Sequence, residues 1–433
     1  MSPFGRSLGV RVTVMLRLMS GHRGLRLLFP LLLIASLTLA TPASASGHPR
    51  WVASWAASPV EGSVIPWSDC PAGTGLTNQT VRNVVFVSAG GSQVRVRLTN
   101  AFGTTPMRVG HASVAIQSAN ADAVPRTVKE LRFHGRKTVT IPAGVELFSD
   151  PVPLRVAALS TLLVSIYVPG PTGPVTNHPF AAQGNYLATG DQSGDVAGGD
   201  YGSTPCWMLT SGVDVRPTRP VVGSVVALGD SITDTSATTG NANHRWPDYL
   251  ARRLNAVHGP TMSVVNAGLG GNRVLAPREG EPFYGVPALE RLERDVFSQT
   301  GVRTVILMEG VNDIGFDASA SDLIAGLREV ADRTHAAGLR IIGGTITPFG
   351  GSFLETEARN QVWATVNDWI RNSGTFDAVV DFAAATAAPG DPTTLNPAYD
   401  SGDHLHPNDA GTEAMANAID LSLLLPNHLA ATG

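Results

Sequence analysis

Residues 221–233 read Val-Val-Gly-Ser-Val-Val-Ala-Leu-Gly-Asp-Ser-Ile-Thr. From 222 to 228 the run is apolar or small with no polar alternation, the pattern of a strand buried on both faces. The chain then turns polar within three residues. Equivalent runs recur at 262–265, 304–308, 340–345 and 378–380. Helical stretches lie between them at 246–257, 288–297, 321–337 and 355–372, and a last one spans 408–424. Strand and helix in alternation predict βαβ units. The expected fold is therefore α/β, a flavodoxin-like doubly wound parallel sheet. Such sheets carry their sites beyond the carboxyl ends of the strands.

Upstream the period changes. Residues 46–215 predict an all-β domain of sandwich or jelly-roll type, because short strand-like runs recur at 113–116, 137–141 and 162–168, each punctuated by Gly or Pro. Residues 94–98 alternate strictly, and Gly90-Gly91 separates them from 84–87, which predicts a hairpin. Residues 216–220, Arg-Pro-Thr-Arg-Pro, read as a linker, since two prolines in extended context break helix and sheet alike. Residues 221–433 are then the second domain.

The beginning of the chain predicts export. No Asp or Glu precedes Glu61, five arginines lie within the first 26 residues, and an apolar run follows at 27–40. That run is short for a membrane span, which needs about 20 residues. Ala43-Ser44-Ala45 supplies a small-residue cleavage site, so residues 1–45 are expected to be a secretory signal peptide and the mature protein to be secreted without a stable membrane anchor. Met19 offers an alternative start with a more ordinary leader.

Composition bounds the class. The 433 residues are 43% hydrophobic and 15% charged, enough to bury a sizeable core. The 31 basic residues face 35 acidic ones; removal of the five leader arginines leaves 26 and a net charge of −9. An acidic chain has no basic excess to hold a phosphate backbone, so nucleic acid is not expected as a partner. Two cysteines cannot build a scaffold or a Cys-rich metal site. In an oxidising compartment Cys70 and Cys206 are expected to form a disulfide, two buried thiols being the alternative.

The chemistry-bearing residues gather at predicted strand ends. Gly229-Asp230-Ser231 ends the first strand, although a serine there also suits a helix N-cap. Asn266-Ala267-Gly268-Leu269-Gly270-Gly271-Asn272 ends the second, where glycines allow close backbone approach to a ligand. Asn312, in Glu309-Gly310-Val311-Asn312-Asp313, can donate to a developing anion. Asp403-His404-Leu405-His406-Pro407 precedes the last helix; an Asp three residues before a His can fix its tautomer for general-base work. A metal reading of Asp403, His404 and His406 lacks a further ligand cluster, which leaves His404 an accessory or structural residue.

Taken together, GDSIT, NAGLGGNRVL, MEGVNDIG and DHLHP resemble the SGNH hydrolase superfamily, the GDSL esterases and lipases, over about 210 residues from 221 to the end. They are similar in particular to its XynE-like branch of exported esterases with an N-terminal β-rich region. The resemblance implies Ser231 as nucleophile, His406 as base and Asp403 as the group orienting His406. It implies an oxyanion hole formed by the Ser231 N–H, Gly271 and Asn312, with Gly271 rather than Gly270 aligned by counting from Asn266. The implied activity is hydrolysis of carboxylic esters, without metal or organic cofactor, by a protein expected to be a monomer.

Substrate is less legible. Trp246 and residues 282–287 are candidate pocket walls as well as ordinary packing, and no long apolar lid is evident, which favours short acyl groups. The branch resemblance points to acetyl groups on polysaccharide. An acyltransferase using the same residues and a lipase acting on longer chains are the alternatives. Trp51, Trp55, Trp67 and Trp207 offer a sugar-stacking face in the β-rich half, or else pack its core.

Overall fold

Five parallel strands form the sheet that the apolar runs predict: β1 (Val221–Gly229), β2 (Thr261–Gly268), β3 (Val302–Met308), β4 (Arg340–Gly344) and β5 (Ala378–Val380). Their spatial order is β2-β1-β3-β4-β5. All nine residues of β1 are buried, as its unbroken apolar run requires. The computed structural model describes residues 50–234 and 237–424, which form one compact unit. The expected signal peptide lies outside the described residues.

Register decides where the motifs meet. Gly229 pairs with Gly268 of β2 on one side and Met308 of β3 on the other, so three strands end in one row. The residues that follow each strand, Asp230-Ser231, Leu269–Gly271 and Glu309–Asn312, therefore emerge on one rim. The helix Trp246–Ala256 packs on the sheet through Trp246, Leu250 and Leu254. Trp246 is fully buried against Phe382, with its indole N–H on Thr233 Oγ1; it is core, not a pocket wall.

Among the described residues, the β-rich half is built on two large antiparallel sheets, with two small two-stranded ones beside them. One large sheet orders Val52–Ala56, Thr210–Pro217, Gly91–Thr99 and Val152–Val156; the other is built around Gln79–Val87, Ser160–Val168 and His111–Ala119. Val81, Val85, Val164 and Ile166 of the second share an apolar cluster with Val94, Val96, Val213 and Val215 of the first. The expected hairpin between 84–87 and 94–98 does not form. Gln79–Val87 and Gly91–Thr99 belong to different sheets, and the chain crosses between them at Ser88–Gly90. Both strands put valines into the same core from opposite sides, so the turn is an arch. A Cβ on Gly90 would lie 2.6 Å from the Ala158 nitrogen, which explains glycine there. Cys70 and Cys206 are disulfide-bonded across 136 residues.

The two halves are knit by polar contacts. Ala53 N donates to Thr300 O at 2.9 Å, Ser88 Oγ accepts from Val264 N at 3.0 Å, and the buried Arg97 guanidinium reaches Gln299 Oε1 at 3.0 Å. Only three residues separate Pro217, at the end of an antiparallel strand, from Val221 of β1.

Candidate active site

Ser231 opens a four-residue helix immediately after β1 and is 7% exposed. Its Oγ lies 2.9 Å from His406 Nε2, and His406 Nδ1 lies 2.6 Å from Asp403 Oδ2. With Nδ1–H donated to the carboxylate, Nε2 is the acceptor facing the serine hydroxyl. Thus 175 positions of sequence close into one relay.

The Asp403-x-x-His406 spacing has a local cause. Asp403 Oδ1 accepts the N–H groups of Leu405 and His406 at 2.9 and 2.8 Å, while Oδ2 faces the imidazole. One carboxylate folds the turn and orients the ring that the turn carries. Burial opposes its ionisation, but the hydrogen bonds from the His406 ring and the two backbone N–H groups outweigh burial and hold it well below the usual carboxylate range. His404, in a left-handed conformation at φ 60°, points Nδ1 instead at Asp400 Oδ2, 2.6 Å away. Its part is in the turn.

The glycine turn after β2 offers one engaged and one unpaired backbone donor. Gly270 N–H is occupied, donating to Asp234 Oδ2 at 2.9 Å. Gly271 N–H and Ser231 N–H have no hydrogen-bond partner among the described residues. This favours Gly271 as the free donor of the pair. Gly271 also requires glycine, because its φ is +71° and a Cβ would lie 2.2 Å from the Tyr284 ring. Asn312 Nδ2 donates to Asn272 O at 2.9 Å, which spends one amide N–H and leaves the other.

Beneath these groups lies a buried charged cluster that the sequence motifs did not disclose. Arg291 is fully buried and donates to Gly229 O of β1, Ala267 O of β2 and Asn272 Oδ1, so one guanidinium pins two strand ends and the glycine turn. Asp313, next to Asn312, accepts Val274 N and Leu275 N at 2.8 and 3.1 Å. Burial pushes the Asp230 carboxyl up to about 7 and that of Glu309 up to about 8. Among the described residues Asp230 Oδ2 and Glu309 Oε1 have no hydrogen-bond partner, while Glu309 Oε2 stands 3.5 Å from Arg291. The Asp in Gly-Asp-Ser and in Val-Asn-Asp was legible as a motif letter; its scaffolding role was not.

A second unforeseen group comes from the β-rich half. His178 is 2% exposed; Nδ1 meets Ser58 O at 2.8 Å and Nε2 meets Asp234 Oδ1 at 2.9 Å. Asp234 in turn holds Gly270, one residue from the free donor at Gly271. No sequence signal ties a lone histidine on a short strand to a glycine turn 92 positions later. The contact exists only in three dimensions.

The site's surroundings also sort the candidate aromatic residues. Phe283 is buried, Tyr284 stacks under the Arg278 guanidinium at 3.9 Å beside Gly271, and Trp55 and Trp207 pack edge to face in the β-rich core at 5.2 Å. Trp67 alone of the four candidate stacking tryptophans is strongly exposed, at 61%.

Among solved structures, the chain is similar to a carbohydrate acetylesterase from Sinorhizobium meliloti, at 13% identity over 47% of this chain and 100% of that one, with a TM-score of 0.37. It is similar to the aryl esterase of M. smegmatis at 15% identity over 45% and 95%, TM-score 0.37. A GDSL-like lipase from Bacteroides thetaiotaomicron matches at 18% identity over 45% and 85%, TM-score 0.34. No curated protein sequence matches. The GDSL-like lipase/acylhydrolase family matches residues 227–414, a span that takes in Ser231, Gly271, Asn312, Asp403 and His406. Residues 227–414 therefore form a GDSL-like lipase/acylhydrolase domain, that of a carboxylic ester hydrolase.

Proposed function

We propose that the protein is a secreted serine esterase that removes short acyl groups, acetyl foremost, from esters carried on a small molecule or polysaccharide, as the XynE-like resemblance suggests. The observation that carries the mechanism is the continuous relay from Ser231 Oγ through His406 to Asp403, at 2.9 and 2.6 Å. His406 Nε2 takes the hydroxyl proton as Ser231 Oγ bonds to the ester carbonyl carbon. The resulting oxyanion lies against the N–H groups of Ser231 and Gly271 and the spare amide N–H of Asn312. Collapse breaks the bond to the alkoxy oxygen, which leaves with the proton from His406. Water then attacks the acyl-enzyme by the same route, giving a carboxylic acid and restoring the serine. The whole cycle runs on side chains and backbone donors of this chain.

Secretion is supported by the Cys70–Cys206 bond and by the leader read from the sequence; no helix among the described residues is long and apolar enough to cross a membrane. The β2-β1-β3-β4-β5 order supports the doubly wound reading, and the two large antiparallel sheets support a sandwich-like domain over 46–215 joined through 216–220 to the hydrolase domain at 221–433. A series of p-nitrophenyl esters of increasing acyl length, with acetylated xylan beside it, tests the proposal. The wild type is expected to release short acyl groups and Ser231→Ala to release none. Near-wild-type hydrolysis by Ser231→Ala would overturn it.

A further inference from the structure

Trp67 sits on an irregular stretch that Cys70 anchors through its disulfide to Cys206. Its own turn is closed by Ser68 N donating to Ile65 O at 3.1 Å and by Cys70 N donating to Ser68 Oγ at 3.3 Å. The indole is thus exposed yet carried on a braced loop. Its ring stands perpendicular to that of Phe283, with centroids 5.4 Å apart, and Phe283 meets Tyr284 at 4.6 Å. Tyr284 lies against Gly271. Two ring contacts therefore connect an open tryptophan of the β-rich half with the glycine turn of the hydrolase half.

Beside Trp67 opens a cavity of about 500 Å³, whose wall includes Asp69, Gln183, Ser203 and Thr204. The segment that carries Gln183 begins near Phe180, which packs on Gly270. Gln183 is only 7% exposed and spends its Nε2 on Asn241 Oδ1 at 3.0 Å, while its Oε1 has no donor among the described residues. The cavity wall thus combines an exposed indole with the Asp69 carboxylate and the Ser203 hydroxyl, and Gln183, whose buried Oε1 is unpaired, borders it. An apolar ligand would leave those polar groups desolvated and unpaired. A pyranose answers both halves of the wall, presenting a C–H face to the indole and hydroxyls to the rest.

We propose that the cavity bounded by Trp67 and Gln183 is a carbohydrate subsite that holds a sugar unit of the substrate's alcohol portion and presents its acyl group to Ser231. It rests on the esterase reading above and specifies the alcohol. The β-rich half then contributes to substrate selection directly.

Two measurements on the full chain test the subsite. Calorimetric binding of xylotetraose, cellotetraose and mannotetraose to Ser231→Ala is expected to show affinity for at least one of them, weakened about tenfold by adding Trp67→Ala and largely retained with Trp67→Phe, a loss in the range of an aromatic stacking contact. With active enzyme, the ratio of kcat/KM on an acetylated xylo-oligosaccharide to that on p-nitrophenyl acetate is expected to fall about tenfold in Trp67→Ala, through KM. Taking a ratio cancels any general loss of active protein. Gln183→Leu is expected to lower the same ratio. Absence of binding by all three oligosaccharides, or a ratio within about twofold of wild type in Trp67→Ala, overturns the subsite. Failure of the esterase reading is a separate result, seen as no hydrolysis of either ester by the wild type, and the binding measurement still decides the subsite in that case.

Discussion

His178 Nε2 and Asp234 Oδ1 lie 2.9 Å apart in a fully buried contact between the β-rich half and the helix that begins at Ser231. Asp234 uses its other oxygen to hold Gly270 N–H, so a side chain outside the hydrolase sheet braces the turn that carries Gly271. The β-rich half is part of the scaffold of the site.

If that brace aims the Gly271 N–H, His178→Ala should lower kcat about tenfold while leaving KM within about twofold, because the lost interaction is one made in the transition state. His178→Gln, which retains a donor, should recover part of kcat. Steady-state kinetics beside thermal melts separate this from simple unfolding. A variant that melts earlier but keeps wild-type kcat would leave His178 a purely structural residue.

The relay predicts a steep hierarchy. Ser231→Ala and His406→Ala should each reduce kcat by on the order of 10⁶, and Asp403→Asn, which breaks tautomer control, by about 10⁴. His404→Ala should be much milder, since its ring faces Asp400 rather than the serine. Burst and steady-state assays with p-nitrophenyl acetate read these directly, and a His404→Ala loss equal to that of His406→Ala contradicts the assignment.

The oxyanion donors are separable from the nucleophile. Asn312→Ala should cost about 10² to 10³ in kcat. Gly271→Ala should be at least as damaging, because a Cβ 2.2 Å from the Tyr284 ring displaces the turn. Neither variant should prevent active-site labelling of Ser231 by a small fluorophosphonate, although labelling should slow. Unchanged kcat in Asn312→Ala would falsify its role.

Asp230 and Glu309 tie stability to pH. In the unfolded chain such carboxyls titrate near 4, roughly, whereas burial raises them to about 7 and about 8 in the fold. The folded state holds these protons more tightly, so their contribution is complete below the unfolded value and is lost as pH rises through 7 to 8. Melting temperature should therefore fall between about pH 5 and pH 9, and Glu309→Gln should flatten that slope. An identical slope in the variant would remove Glu309 as the cause. Asp403 acts oppositely, its contribution fading as acid protonates it.

Cys70→Ser should destabilise the protein by about 2–5 kcal/mol, since the bond closes a 136-residue loop. Because the bond also anchors the Trp67 segment, chemical denaturation of wild type with and without reductant offers the same comparison. Equal midpoints would show that the loop is held by packing alone.

What the sequence determined was the local pattern: unbroken apolar runs for buried parallel strands, polar motifs at their ends, and an Asp three residues before a His. The Asp403 turn shows why such a motif is legible, for its carboxylate bonds the N–H groups of Leu405 and His406 within the same few residues. The failed hairpin shows the limit. Two alternating strands separated by glycines have the same pattern whether they pair with each other or face each other across a core. Only the tertiary structure decided that choice, which depends on which distant strands complete each sheet. It likewise decided the roles of Arg291, Asp313 and His178, and which of four tryptophans stays exposed. These are properties of contacts between residues far apart in sequence, set by burial and register, to which no local period or spacing gives a sign.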